Sequence, residues 1–281
     1  MIWLLPSAAC SIAIALILKV NEERTGDRVL LAGANYSVAS VLSLALLGFR
    51  IGVPGGTTVI LGATTGVIFV LGFLLLMAGI ARGPLAIPVT VMRLSVVVPI
   101  TASILIWREQ PSPLQWIGIT LGIVAILTFG LSLPETSGRR GGRRGYAFFI
   151  LSLFIVMGIA DLLLKSFREL SPDTERFLFT WLLFTVASMC TWILVVVRRI
   201  PFDRRTFVLG LILGVPNLFS TVFMLMALRD VAASIAFPFV NLTVIFGSTL
   251  LALLIWKERL KTLAVFGLVL AGAAIVLLPM G

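Results

Sequence analysis

From Ile2 to Leu278 the chain is a succession of apolar runs, most of about 20 residues, cut by short charged or Pro/Gly-rich breaks. A helix needs roughly 20 mostly apolar residues to cross the hydrocarbon of a bilayer. Ten such runs fit: Ile2 to Leu18, Val29 to Phe49, Thr57 to Ile80, Leu85 to Trp107, Leu114 to Leu133, Tyr146 to Leu164, Phe177 to Val197, Thr206 to Leu228, Ala233 to Trp256 and Leu263 to Leu278. The runs are continuously apolar, whereas barrel strands are shorter and alternate polar with apolar positions. The pattern therefore predicts an all-α integral membrane protein with ten transmembrane helices.

Composition changes this picture only by closing other routes. With 59% of residues hydrophobic and 12% charged, no soluble domain could cover its own surface. The net charge of +10 would suit a nucleic-acid binder, but the 22 basic residues form no single patch or arm. Arg93 lies inside a span, 15 others fall in odd-numbered loops, and six fall in even-numbered loops: Arg50, Arg108, Lys165, Arg168, Arg176 and Arg229. The positive-inside rule then places the odd loops in the cytoplasm and both termini outside a cell inner membrane. No nucleic-acid partner is expected; the lipid bilayer is.

The first run has no basic leader and continues into a charged loop, so it is read as a helix that stays in the protein. Ser7 to Cys10 resembles a lipoprotein cleavage box only faintly, and a cluster of small residues in a helix is the preferred reading. Cys10 and Cys190 both lie in spans, without disulfide or metal-ligand spacing. No cofactor or metal is expected.

An internal repeat organises the spans. The Gly/Arg-rich linker, residues 137–145, separates a first half, 1–136, from a second, 146–281, with five spans in each. Ile106-Trp107-Arg108-Glu109 returns as Ile255-Trp256-Lys257-Glu258, and Gly118 and Gly267 each lie nine residues beyond the glutamate. Ala15 to Lys19 likewise reads like Asp161 to Lys165. An odd number of spans per half makes the second copy enter from the opposite side, which yields an inverted repeat with its two-fold axis in the membrane plane.

Four motifs carry a family resemblance: Ala34-Asn35-Tyr36; Arg93 to Pro99, running on to the Trp-Arg-Glu turn; Pro216 to Ser220; and Phe237 to Asn241, running on to the Trp-Lys-Glu turn. On these the chain resembles the drug/metabolite transporter superfamily, specifically an EamA-like ten-helix member, over essentially its full length. The resemblance implies a carrier of small organic molecules such as amino acids, nucleosides, organic anions or drugs. In one respect the chain departs: the small multidrug branch binds protons and cations with a glutamate in its first helix, and Ile2 to Leu18 contains no acid.

Polar groups within the hydrocarbon must find partners, and an ionisable one is a functional hypothesis by default. Arg93 lies near the middle of span four between Pro88 and Pro99, where its planar guanidinium could receive a carboxylate or phosphate. Asp161, read as the sole acid within a span and about one turn before the end of the sixth, could instead neutralise Arg93 and pin two helices. Asn35, Asn217 and Asn241 could orient a zwitterion by donating and accepting at once, or merely hydrogen-bond between helices. Tyr36 projects about 100° from Asn35. Ser220, Thr221 and Ser248 could extend a polar stripe but are read as packing residues, as are Gly62, Gly66, Gly118, Gly122, Gly267 and Gly272. Glu109 and Glu258 are read as caps of the following helix or partners of neighbouring bases, and Lys19 and Lys165 as snorkelling side chains.

The sequence thus points to a secondary transporter working by alternating access on a small-molecule substrate, an amino acid or organic anion rather than a cationic drug, and acting as a monomer. No phosphate-binding Gly-x-x-x-x-Gly-Lys-Ser/Thr loop is present, so ATP hydrolysis is excluded. A non-transporting scaffold is the alternative. A membrane-embedded enzyme is further off, because the chain has no histidine and only one acid is read within the spans.

Overall fold

A computed structural model describes residues 1–24, 26–48, 55–82, 86–132, 143–256 and 262–280. Among these the regular structure is wholly helical: α1 (Leu4–Glu23), α2 (Arg28–Leu46), α3 (Gly56–Arg82), α4 (Ala86–Leu94), α5 (Val97–Ile106), α6 (Pro113–Ser132), α7 (Arg143–Leu170), α8 (Arg176–Val197), α9 (Arg204–Ala227), α10 (Ala233–Trp256) and α11 (Thr262–Leu277). Among the described residues eight helices are long and apolar enough to cross a membrane, and Thr90–Ile106 and Pro113–Thr128 are shorter apolar segments. The chain is an all-α, multi-pass membrane protein. Arg50, Arg139, Arg140, Lys257, Glu258, Arg259, Lys261 and the linker residues 137–142 lie outside the described residues.

Helix starts follow ordinary capping chemistry. Asp27 accepts from the backbone N–H of Val29 and Leu30 at 2.8 and 2.9 Å to open α2, and Asp203 accepts from Thr206 at 2.9 Å to open α9. Ser112 and Gln115 form a reciprocal capping box before α6, with Pro113 at its first helical position.

Two elements differ from their sequence expectation. Span four is broken into α4 and α5. The sixth helix runs on to Leu170, because Lys165 and Glu169 pair at 2.6 Å one turn apart and carry the helix past its apolar run. Asp161 therefore sits nine residues before the helix end, not one turn, and Glu169 is a second acid within α7. Lys165 does not snorkel: it is 4% exposed and held by Glu169.

The chain divides into two compact units. One comprises Ile2–Val70 and Leu163–Arg229, the other Met1, Leu71–Leu162 and Asp230–Gly281. In the first, α2 packs against both α8 and α9, and α1 against α9. The contact is close where side chains are smallest: a Cβ on Gly210 would lie 2.6 Å from the Leu31 carbonyl oxygen, and one on Gly214 would lie 2.6 Å from that of Asn35. Gly62 and Gly66 of α3 meet the Phe179 and Leu183 carbonyls of α8 in the same way. In the second unit α6 packs along α11 and against α4 and α10, while α10 also meets α5. Gly118 there meets Leu278, and Gly122 meets Leu242. Gly62, Gly66, Gly118 and Gly122 perform the packing role read for them, whereas Gly210 and Gly214 were not singled out from the sequence. Each unit draws helices from both halves of the sequence.

Candidate functional site

The break between α4 and α5 has a local cause. Pro99 has no N–H to give the Ser95 carbonyl, and its ring crowds that oxygen. The carbonyl takes the N–H of Val98 instead, at 2.9 Å, and Val96 reaches back only to Arg93, at 3.4 Å. The Ser95 hydroxyl donates to the Met92 carbonyl at 2.6 Å, satisfying one of the acceptors that the end of α4 leaves open. Ser95 and Val96 are 2% and 1% exposed, so this irregular backbone is enclosed by protein, the condition for it to survive at membrane depth.

Arg93 occupies the last turn of α4, where the helix dipole favours a cation. Its Nη1 donates to Oδ1 of Asn241 on α10 at 2.9 Å. Asn241 is itself fixed, because its Nδ2 donates to the Phe237 carbonyl at 3.1 Å. This side-chain hydrogen bond of Arg93 thus goes to an amide rather than to Asp161. Arg93 is half-buried, and among the described residues none of its other guanidinium nitrogens is sealed from solvent without a partner. Arg93, Asn241 and Asp161 all belong to the second unit.

Asn35 and Asn217 form a second cluster, within the first unit. The glycines of α9 bring its backbone against α2, and Nδ2 of Asn217 donates to Oδ1 of Asn35 at 3.1 Å. A serine ladder continues from there: Ser220 meets the hydroxyl of Ser11 at 2.6 Å, and Ser7 donates to the Ser220 carbonyl at 3.0 Å. Thr221 turns inward to the Asn217 carbonyl at 3.1 Å. Tyr36 points elsewhere, its buried ring 6.3 Å from that of Phe184 on α8. Ser248 spends its hydroxyl on the Val244 carbonyl of its own helix.

Some polar contacts were not singled out from the sequence. Ser37 bonds Ser188 at 2.9 Å and receives Nε1 of Trp192 at 2.8 Å, and Ser40 meets Thr185 at 2.6 Å, stitching α2 to α8. Their signal was the three-residue spacing of small polar residues at 37, 40 and 43 on one face of α2. Of the six basic residues assigned to even loops, Arg168, Arg176 and Arg229 converge on Asp173 at 3.8, 3.3 and 3.6 Å. A cleft of about 920 Å³ between the α1–α2 and α8–α9 turns contains none of the five candidate residues.

These features define a membrane-embedded helical protein with polar clusters buried in its spans and a broken helix beside an arginine. The chain belongs to the EamA-like transporter family, which it matches twice, over residues 1–131 and 143–280. It is similar to an uncharacterized protein of Haemophilus influenzae, at 26% identity over 95% of this chain and 93% of that one. A protein of known crystal structure shares the fold, with a TM-score of 0.74 and 13% identity over 98% of both chains.

Proposed function

We propose that the chain is a secondary transporter that moves a small organic metabolite, an amino acid or organic anion rather than a cationic drug, across the cell inner membrane by alternating access. The observation that carries this reading is Arg93: a half-buried guanidinium at the end of a broken membrane helix, held through one nitrogen by Asn241. Discontinuous helices at membrane depth are where carriers of many kinds bind substrate. A guanidinium with donors to spare offers a carboxylate its planar, paired N–H groups.

In this reading Asn241 presents Arg93, Asp161 balances its charge or receives an ammonium group, and Asn35 and Asn217 are the further candidate ligands. Ten spans form two inverted repeats, residues 1–136 and 146–281 joined by 137–145, a division supported by the double family match. The 15 basic residues of the odd loops against six in the even loops favour odd loops in the cytoplasm and both termini outside. The working unit is a monomer.

A non-transporting scaffold draws support from the Asn217–Asn35 bond, in which two candidate ligands satisfy each other. The experiment that separates the readings is flux of radiolabelled amino acids, organic anions and cationic dyes in liposomes, comparing wild type with Arg93→Ala and Arg93→Lys. A carboxylate solute that moves with wild type and at least tenfold more slowly with both variants supports the carrier. Absence of flux for every solute, or equal flux in the variants, overturns Arg93 as its anchor.

A further inference from the structure

We propose that Glu109 is a positioning residue for Arg93: it holds the first turn of α10 in place, so that Asn241 stays against the guanidinium. The proposal rests on the reading of Arg93 as the anchor but is tested without any substrate.

The argument begins with the start of α10. A helix leaves its first N–H groups without internal partners. At α10 these groups cannot turn to water, because Ala233 and Ser234 are both 0% exposed. The Glu109 carboxylate supplies what is missing, Oε1 accepting from Ala233 and Oε2 from Ser234, each at 2.9 Å. Both bonds are charge-assisted, and the anion sits at the positive end of the helix dipole. The cap therefore belongs to α10, not to the α6 helix that follows Glu109 in sequence.

The first turn of α10 depends on this tie for a second reason. Pro238 has no N–H for the Ser234 carbonyl, so one internal bond of the opening turns is absent. Asn241 lies eight residues beyond Ala233, two turns or roughly 12 Å along the axis. Any rotation or slip of the α10 start is carried to it directly.

The segment that delivers Glu109 is built for the purpose. The Ser103 carbonyl accepts from the backbone N–H of both Trp107 and Glu109 at 3.2 Å, closing α5. Arg108 then adopts φ 54°, a left-handed conformation that strains a non-glycine residue. The two polar ties from this stretch of chain to α10, Arg93 to Asn241 and Glu109 to Ala233 and Ser234, lie on opposite sides of the break at Ser95 and Val96. Glu109 keeps α10 registered on α5 while the break leaves α4 free to change its angle.

The test is hydrogen–deuterium exchange, followed by mass spectrometry, on full-length protein in lipid nanodiscs. Wild type is compared with Glu109→Ala, Glu109→Gln, Asn241→Ala, the Glu109→Ala/Asn241→Ala double variant and Arg108→Gly. In Glu109→Ala, amides 233 and 234 exchange about tenfold or more faster, and the loss of protection extends through residue 241 to the break at 95–96. Asn241→Ala loosens the same break, and the double variant adds nothing there. Glu109→Gln, which keeps one acceptor oxygen and the same shape, falls between and carries the comparison if the alanine variant does not fold. Arg108→Gly keeps the carboxylate in place and leaves exchange in α10 unchanged. Loss of protection confined to residues 233–236, or none at all, overturns the proposal. The exchange data stand whether or not any solute moves in liposomes, so failure of the carrier reading and failure of this one are separate outcomes.

Discussion

Asn217 and Asn35 face each other across the contact of α9 with α2, and Nδ2 of the first donates to Oδ1 of the second at 3.1 Å. The bond uses one donor of Asn217 and one acceptor of Asn35.

Removing Asn217 strands the acceptor of Asn35, which is 6% exposed. Hydrogen bonds between membrane helices average about 0.6 kcal/mol and reach about 1.7. Asn217→Ala therefore lowers the unfolding midpoint of the solubilised protein by about 2–4 °C, read by a thermal shift. If the pair also orients substrate, flux falls at least tenfold, far beyond what that loss of stability accounts for.

Gly214 tests the packing that brings those amides together. A Cβ there would lie 2.6 Å from the Asn35 carbonyl oxygen and from the Val38 side chain, and backbone cannot yield cheaply. Gly214→Ala costs about 1–3 kcal/mol by overpacking, although alanine is the better helix former. Gly56→Ala, where a new Cβ meets nothing within 4 Å, is the control and leaves stability unchanged or slightly raised. Denaturation in detergent separates the two.

Arg108 bears its strain for the sake of the turn. Glycine relieves the left-handed penalty of roughly 1–2 kcal/mol but loses roughly 0.5–1 kcal/mol to the freedom of the unfolded chain. Arg108→Gly is thus expected to be stabilising by a few tenths to about 1 kcal/mol, measured as a small rise in midpoint.

Asp203 gives a pH signature outside the membrane. The Thr206 hydroxyl and then its backbone N–H hold the carboxyl below the usual carboxylate range, with Arg205 adding a smaller pull in the same direction. A depressed value in the folded state means the stabilisation is fully present above the ordinary carboxylate value and is lost as pH falls through the lowered one. The cap of α9 persists at neutral pH and fails only in strong acid, whereas Asp203→Ala lacks it throughout. Exchange of the Thr206 amide against pH follows the change.

What could be read from the sequence was whatever repeats every turn or every span. The apolar runs gave most of the helix cores within a few residues, because burying apolar surface in lipid is a local property of each run. The division of span four could not be seen so clearly. Pro99 marked a weak point, but prolines also sit inside α9 and α10, which stay continuous. Lys165 and Glu169 hid the true end of α7, since a charged pair resembles a loop until its partners are seen one turn apart. The candidate residues were visible as polar exceptions, yet their partners were not. Arg93 chose Asn241, and Glu109 chose the start of α10, across separations of 148 and 124 residues that no spacing rule reaches.

The mixed ancestry of the compact units has a consequence for how the protein is made. α1 and α2 find their packing partners in α8 and α9, and α6 finds its own in α10 and α11. At about 5–20 residues per second, a ribosome needs roughly 10–30 s to deliver the helices that the first ones await. During that interval the leading segments sit in the bilayer with Asn35 and Arg93 unmatched, held there by lipid alone. Neither half made by itself can close a compact body. Synthesised as two polypeptides cut between residues 131 and 143, the chain is expected to mature only when both pieces occupy the same membrane.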